Sequence, residues 1–465
     1  MEFSSLSFIC VFLPVVFLLY TIIPNKKIKN ALLIVASLTF YGYGEPVYVL
    51  IMLFSICMNY IFGLLVGKSS HKKLFLVIDV VLNLGILGFF KYTGFLLENL
   101  NTITGLSIPV LKIALPIGIS FFTFQALSYV VDVYRGDVKP QKNLAKVMLY
   151  ISFFPQLIAG PIIKYHDIEK QIDNRTHSLD LVVKGFRRFI TGLGKKVLIA
   201  NTMAGAVDVI FASNPNDINI LVAWLGAVGY LMQIYYDFSG YSDMAIGLGM
   251  MFGFHFKENF NYPYSAVSVK DFWRRWHISL STWFKEYLYI PLGGNRKGKA
   301  RACLNRLIVF FCTGIWHGAS WTFVIWGLYH GIFLLIETYA PKIKLPKIIK
   351  HIYLLLVVTV GFVIFRADTL SQGIMINEKM FSGFNMNSSA LSLFMGEMTP
   401  LFITALIFAV VFSLPVKNFI ISKTQGTKAI SVVNSLTYIG SLVLLAVCII
   451  NLASGSYNPF IYFRF

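Results

Sequence analysis

Charge is scarce in this chain. Asp, Glu, Lys and Arg make up only 13% of its 465 residues, about half the share of an ordinary soluble domain. With 57% hydrophobic residues and a mean hydropathy of +0.70, this excludes a soluble enzyme and a disordered chain. Acidic residues are scarcer still, 21 against 40 Lys and Arg. In a soluble protein the resulting net charge of +19 would point to nucleic acid. In a chain this apolar it is the excess expected of cytoplasmic loops, and no nucleic-acid partner is expected. The five cysteines (Cys10, Cys57, Cys303, Cys312 and Cys448) lie in or beside apolar runs and show no CxxC spacing, so no disulfide framework is read from them. Walker A, HExxH and GxSxG patterns are missing too, as is GxGxxG before a strand, so none of those chemistries is signalled. No metal site is expected.

What the chain does have is apolar runs of about 15 to 22 residues from end to end. A bilayer core about 30 Å thick takes roughly 20 helical residues to cross. The length accommodates about ten to thirteen passes, and the expected fold is an all-α polytopic membrane protein. A single membrane domain is expected over 1–465: N-terminal spans in 1–135, a catalytic core with re-entrant segments in 136–345, and C-terminal spans with a tail in 346–465.

Loop charges set the expected orientation. The first apolar run, about Phe8 to Ile23, has no basic residues before it and is followed by Lys26, Lys27 and Lys29. It therefore reads as a span with its N-terminus outside, not as a cleaved signal. Lys68, Lys72 and Lys73 read as internal, and the stretch from Glu98 to Pro109, without Lys or Arg, as external. The simple alternation fails at Met148 to Ile163, which is basic on both flanks and holds Pro155, Gly160 and Pro161. Broken backbone at membrane depth needs protein or a cavity around it, so this reads as a re-entrant segment, with a proline-kinked helix as the rival. The block from Gly240 to Arg306 also reads as partly re-entrant on the cytoplasmic side, its run Met244 to Phe254 being short for a span. Trp273, Trp276 and Trp283 there suit a membrane interface.

Ionisable residues at membrane depth point to function. His71, His166, His177 and His351 lie in polar loops and read as surface residues, and His255 as structural. His317, in GIWHGASW, follows Arg306 by eleven residues, about 16 Å of helix. That puts it near the midplane if Arg306 marks the interface. One straight helix from Leu307 to Glu337 would be about 46 Å long, and Gly314 and Gly318 offer a break. A histidine at such a break suits an internal cavity, or a satisfied place in a helix bundle. His330, thirteen residues on, lies about 220° round an ideal helix and would not share a face with His317 unless the helix breaks between them. Asp237 and Asp243, in YYDFSGYSDMAIGLG, read equally as cavity-lining groups or helix caps. The loop PLGGNRKGK, with Arg296, Lys297 and Lys299, reads equally as a phosphate-holding loop or a solvated one.

The segment DFWRRWHISLSTWFKEYLYIPLGGNR, followed by GIWHGASWTFVIWGLYHG, resembles the signature of the membrane-bound O-acyltransferases (MBOAT). LPIGISFFTFQALSYVVDVYRG, FFPQLIAGPI and FSSLSF resemble its bacterial branch, which serves alginate and peptidoglycan O-acetylation and, further off, teichoic-acid D-alanylation. The resemblance runs nearly the whole length. It implies a ring of helices around a thin centre pierced by a tunnel. It also implies His317 as the catalytic histidine and His277, in WHISLS, as a second functional histidine at the cytoplasmic mouth.

An imidazole with a pKa near 6.5 can take a hydroxyl proton near neutral pH. The expected reaction moves an acetyl group from a cytoplasmic thioester, acetyl-CoA, across the membrane to an extracellular or cell-wall polysaccharide. No tightly bound cofactor is expected. The donor would enter beside His277 and the basic loop, and an extracytoplasmic SGNH-type transferase or esterase is the expected partner. The location implied is a bacterial plasma membrane, with both termini outside. D-alanyl transfer to teichoic acid, a polysaccharide or lipid transporter, and a scaffold for a secreted transferase are the alternatives. The tail FIYFRF, Phe460 to Phe465, reads from its residues as an aromatic interfacial anchor. It also resembles the branch's C-terminal motif, which implies Tyr462 as an acyl carrier.

Overall fold

The computed structural model of the protein describes residues 1–111, 113–341, 344–424, 429–455 and 457–461. Tyr462 lies outside the described residues. Every regular element among them is helical, and they fall into two compact units. One comprises Met1–Phe189 and Ser242–Lys257, the other Ile190–Tyr241 and Glu258–Phe465.

In the first unit, a π-turn at Phe8–Phe12 runs directly into α1, Leu13–Ile22, with Pro14, which has no N–H to donate, at the junction. The Asn25 side chain caps α2, Lys26–Gly44. Then come α3, Val49–Lys68, and the 33-residue α4, Lys72–Thr104, which ends on left-handed Gly105. Next is α5, Ile119–Arg135, and here the backbone breaks as expected. α6, Leu144–Ser152, stops at Phe153; α7, Phe154–Leu157, is a single turn; and the buried stretch to Lys164 is not helical. The rival of one continuous kinked helix does not hold. α8, Tyr165–Asn174, follows.

Two helices contribute to both units: α9, Leu179–Gly194, and α11, Ile220–Met251. Met244 to Phe254 is thus largely the end of a 32-residue helix, not a short span of its own. In the second unit a π-segment, Lys195–Ala200, precedes α10, Asn201–Ala212. Two short helices come next in this unit, α12, Val269–Arg275, and α13, Ile278–Phe284. They are followed by α14, Gly298–His317, α15, Trp321–Tyr339, and α16, Lys347–Arg366. The remainder is α17, Leu370–Ser382, α18, Ser388–Glu397, α19, Pro400–Phe412, α20, Val416–Thr424, and α21, Ala429–Ala453.

Six of these helices are long and apolar enough to cross a membrane, and the pair α18–α19, bent by 66°, would make a seventh. Other apolar runs are cut into shorter helices. The first run yields only Phe8–Ile22, and 148–163 is split between α6 and α7.

The loop histidines are less bare than their setting suggests. His166 Nδ1 lies 2.9 Å from buried Asp132 Oδ2, and the ring nitrogens of His177 and His351 meet the carbonyls of Met251 and Ala266. His255 is exposed. Trp276 and Trp283 are buried. The Trp276 ring packs 5.4 Å from Phe272 and 5.2 Å from Phe362, a core position instead of an interfacial one.

α14 and α15 form a tight hairpin. A Cβ at Gly314 would run into the Phe323 carbonyl, and one at Gly327 into the Phe310 carbonyl, so only hydrogen at both positions allows this approach. Gly314→Leu is expected to cost about 1–3 kcal/mol or more through overpacking. The check is a lower thermal midpoint of the purified protein in detergent; an unchanged midpoint would show that the hairpin does not need the glycine.

Candidate active site

His317 is the last residue of α14. The chain breaks at Gly318, which is extended (φ −169°, ψ 158°), and restarts at Ser320, whose side chain accepts the Thr322 N–H to cap α15. The histidine is 8% exposed. Its ring meets Trp316, Trp326 and Phe365 at centroid distances of 5.0, 5.2 and 5.2 Å. It faces a cavity walled by Ile234 and Phe238 of α11, Trp276, Trp326, and Phe362 and Phe365 of α16, with Ile461 of the tail. His317 is the one ionisable side chain among these lining residues.

The break also settles the relation of His330 to His317. With α14 and α15 folded against each other, both rings contact Trp326, His330 at 5.3 Å. His330 is fully buried among Trp273, Trp326 and Tyr329 and does not line the cavity.

His277 precedes α13 with φ 44° and ψ 54°. It and Tyr262 are the only non-glycine residues with positive φ among those described, a strained state that persists only where the surroundings impose it. Asn259 imposes it. The Asn259 carbonyl accepts the Ile278 N–H, and its Oδ1 accepts the Ser279 N–H and the Ser279 hydroxyl. His277 Nδ1 lies 3.3 Å from the same Oδ1. An amide oxygen only accepts, so Nδ1 carries the proton and Nε2 keeps a free lone pair. That Nε2 is buried without a partner. His277 packs on Phe238 at 4.6 Å and Trp316 at 6.1 Å, one ring behind the cavity wall. Burial lowers its pKa to about 3.

Arg296, Lys297 and Lys299 are exposed and do not line the cavity. The turn beneath them is ordered by left-handed Gly293, Gly294 and Gly298 and by Asn305, whose side-chain amide donates to the Leu292 and Gly294 carbonyls. Exposure is common to the phosphate-holding and the solvated reading of this loop. Asp237 and Asp243 both lie within α11. Asp243 pairs with Arg188 at 2.8 Å, and Asp237 with buried Lys196 at 2.6 Å. Sequence reasoning confined to histidine and aspartate misses Lys196. Its signal is a lysine inside the apolar stretch ITGLGKKVLIAN. Asn259 gives no signal at all.

A helix end inside the protein, an apolar cavity and one imidazole are the parts of a proton-transfer site. The MBOAT, membrane-bound O-acyltransferase family description matches residues 138–364. The chain is 39% identical to the probable alginate O-acetylase AlgI of Azotobacter vinelandii, with all of both chains covered. It is 36% identical to the peptidoglycan O-acetyltransferase of Helicobacter pylori, covering 81% of this chain and 79% of that one. Identity to the teichoic acid D-alanyltransferase of Bacillus subtilis is 31%, over 54% of this chain and 67% of the relative. The chain belongs to the membrane-bound O-acyltransferase family. It is a multi-pass membrane acyltransferase.

Two outcomes are expected around His277. Between about pH 6.5, where an unfolded imidazole titrates, and about 3, the unfolded chain takes up a proton that folded His277 refuses. Stability therefore falls as pH falls through that window, and His277→Gln should flatten the slope in detergent unfolding at stepped pH. Asn259→Ala should cost about 1–3 kcal/mol by stranding buried donors, read as a lower thermal midpoint.

Proposed function

We propose that this protein transfers an acetyl group from acetyl-CoA on the cytoplasmic side to a carrier on the outer side, for O-acetylation of a cell-wall or secreted polysaccharide. The observation carrying the reading is the cavity, in which His317 from a helix end and Ile461 from the C-terminal segment stand in one wall. Relatives named for alginate and peptidoglycan O-acetylation support the acetyl group and the class of acceptor. The teichoic acid relative aligns with a smaller part of the chain, which favours acetyl over D-alanyl transfer.

In this mechanism the thioester approaches from the side of His277, and Arg296, Lys297 and Lys299 attract the donor's phosphates. The acceptor is the Tyr462 hydroxyl, one residue beyond Ile461 in the sequence. A phenol of pKa near 10 attacks poorly until a base takes its proton. His317 takes it, the phenolic oxygen bonds to the acyl carbon, the carbon–sulfur bond breaks, and the proton passes to the leaving thiolate. The acetyl-tyrosine ester then hands its group to a serine of an SGNH-type extracytoplasmic transferase. The apolar walls keep water from the thioester while this happens. Orientation follows from loop charge: the N-terminus and the tail outside, the basic loop in the cytoplasm.

His317→Ala should lower polymer acetylation by about 10²- to 10⁴-fold, the usual loss with a general base, while the protein still accumulates in the membrane. Near-normal acetylation would remove His317 from the reaction. Tyr462→Phe keeps the ring and removes the hydroxyl, and the same assay should show loss of transfer. Wild-type acetylation would leave Tyr462 an anchor.

A further inference from the structure

Lys196 and Asp237 form a buried ion pair, 2% and 1% exposed, with Nζ 2.6 Å from Oδ1. Taking two charges out of water is repaid only when their remaining hydrogen-bonding groups are also met. Here the partners come from the C-terminal segment and from its main chain. Lys196 Nζ donates to the Pro459 carbonyl, and the Ile461 N–H donates to Asp237 Oδ2 at 2.9 Å. Between them the Phe460 ring stacks on Tyr241 at 4.9 Å and 29° and lies 5.6 Å from Lys196 Nζ. Phe460 and Ile461 are 5% and 4% exposed.

The local sequence builds this seat. Lys196 opens onto it from the π-segment Lys195–Ala200, a widened turn of the kind that recurs at functional positions. Opposite, Gly240 of α11 lets the backbones close up, since a Cβ there would lie 2.8 Å from the Gly192 carbonyl and 3.2 Å from the Lys196 nitrogen. Two outer contacts guide the segment in. Asn201 Nδ2 donates to Asn458 Oδ1 at 2.9 Å, and the Tyr457 hydroxyl donates to Asp208 Oδ2 at 2.7 Å, the same carboxylate that meets Arg366.

We infer that Lys196 and Asp237 are positioning residues, a charged seat that grips the main chain of residues 459–461 and sets the C-terminal segment against the His317 cavity. Contact through backbone groups at 459 and 461 makes the hold independent of the side chains there and leaves Phe460 to fix the register. A pair present only for stability would be replaceable by apolar side chains without consequence for the tail. Its importance for catalysis rests on the proposed acyl relay; the seat itself does not.

The test uses the full chain in detergent, with the five native cysteines replaced by alanine and Ile461→Cys as a reporter of burial. Maleimide labelling of that position should be slow in the parent. Asp237→Asn and Lys196→Met should each speed it at least about tenfold, by raising the population of the opened segment. The double variant Lys196→Met/Asp237→Leu leaves no unpaired buried charge, so it reads the seat even where the single variants fail to fold. It should show the same rise while its thermal midpoint stays near the parent's. Labelling within about twofold of the parent in the folded double variant would overturn the inference. Polymer acetylation by Tyr462→Phe, measured alongside, separates the two readings. Normal acetylation there removes the relay and leaves the labelling result standing.

Discussion

A helix that ends inside apolar protein leaves main-chain groups that must find partners. α14 ends in this way at His317. The Gly318 N–H returns to the Gly314 carbonyl, and Ser320 caps the next helix within three residues. The turn fits only because Gly314 and Gly327 carry no side chain. With that turn in place, the two histidines of α14 and α15 meet across Trp326. Phe238 of α11, Trp276 just after α12, and Phe362 and Phe365 of α16 then close round His317.

The rest of the site answers the same demand for partners. Asn259 Oδ1 takes up three donors around His277 and leaves one ring nitrogen as an acceptor. The Lys196–Asp237 pair meets its demand from the tail. Polar groups are few in this chain, and among the buried ones of the second unit Asn259 serves His277 while Lys196 and Asp237 serve the C-terminal segment. Acyl transfer needs this combination, with water kept out and a small number of oriented proton-handling groups kept in.

Much of this is legible in the order of the amino acids. Charge scarcity marks the membrane class, and length arithmetic from Arg306 points to the break beside His317, which lies at Gly318. Pro155, Gly160 and Pro161 announce the interruption after Ser152. Other features are hidden because they depend on distant pairing. Lys196 and Asp237 lie 41 residues apart (237 − 196), and nothing local in either segment names the other. The αL turn at His277 comes from Asn259, eighteen residues earlier. Trp276 and Trp283 carry the composition of an interface yet are buried, since an aromatic cluster has the same pattern whether it meets lipid headgroups or other rings. Hydropathy alone does not say where an apolar run breaks.

The central claim is that His317 drives acyl transfer onto the C-terminal segment. Purified full-length protein incubated with radiolabelled acetyl-CoA, then digested and sequenced by mass spectrometry, tests it most directly. The account predicts an acetyl ester on Tyr462 in the wild-type chain and none in His317→Ala at equal protein. Thioester turnover with the label on another residue, or an ester on Tyr462 that forms equally well in His317→Ala, would contradict it.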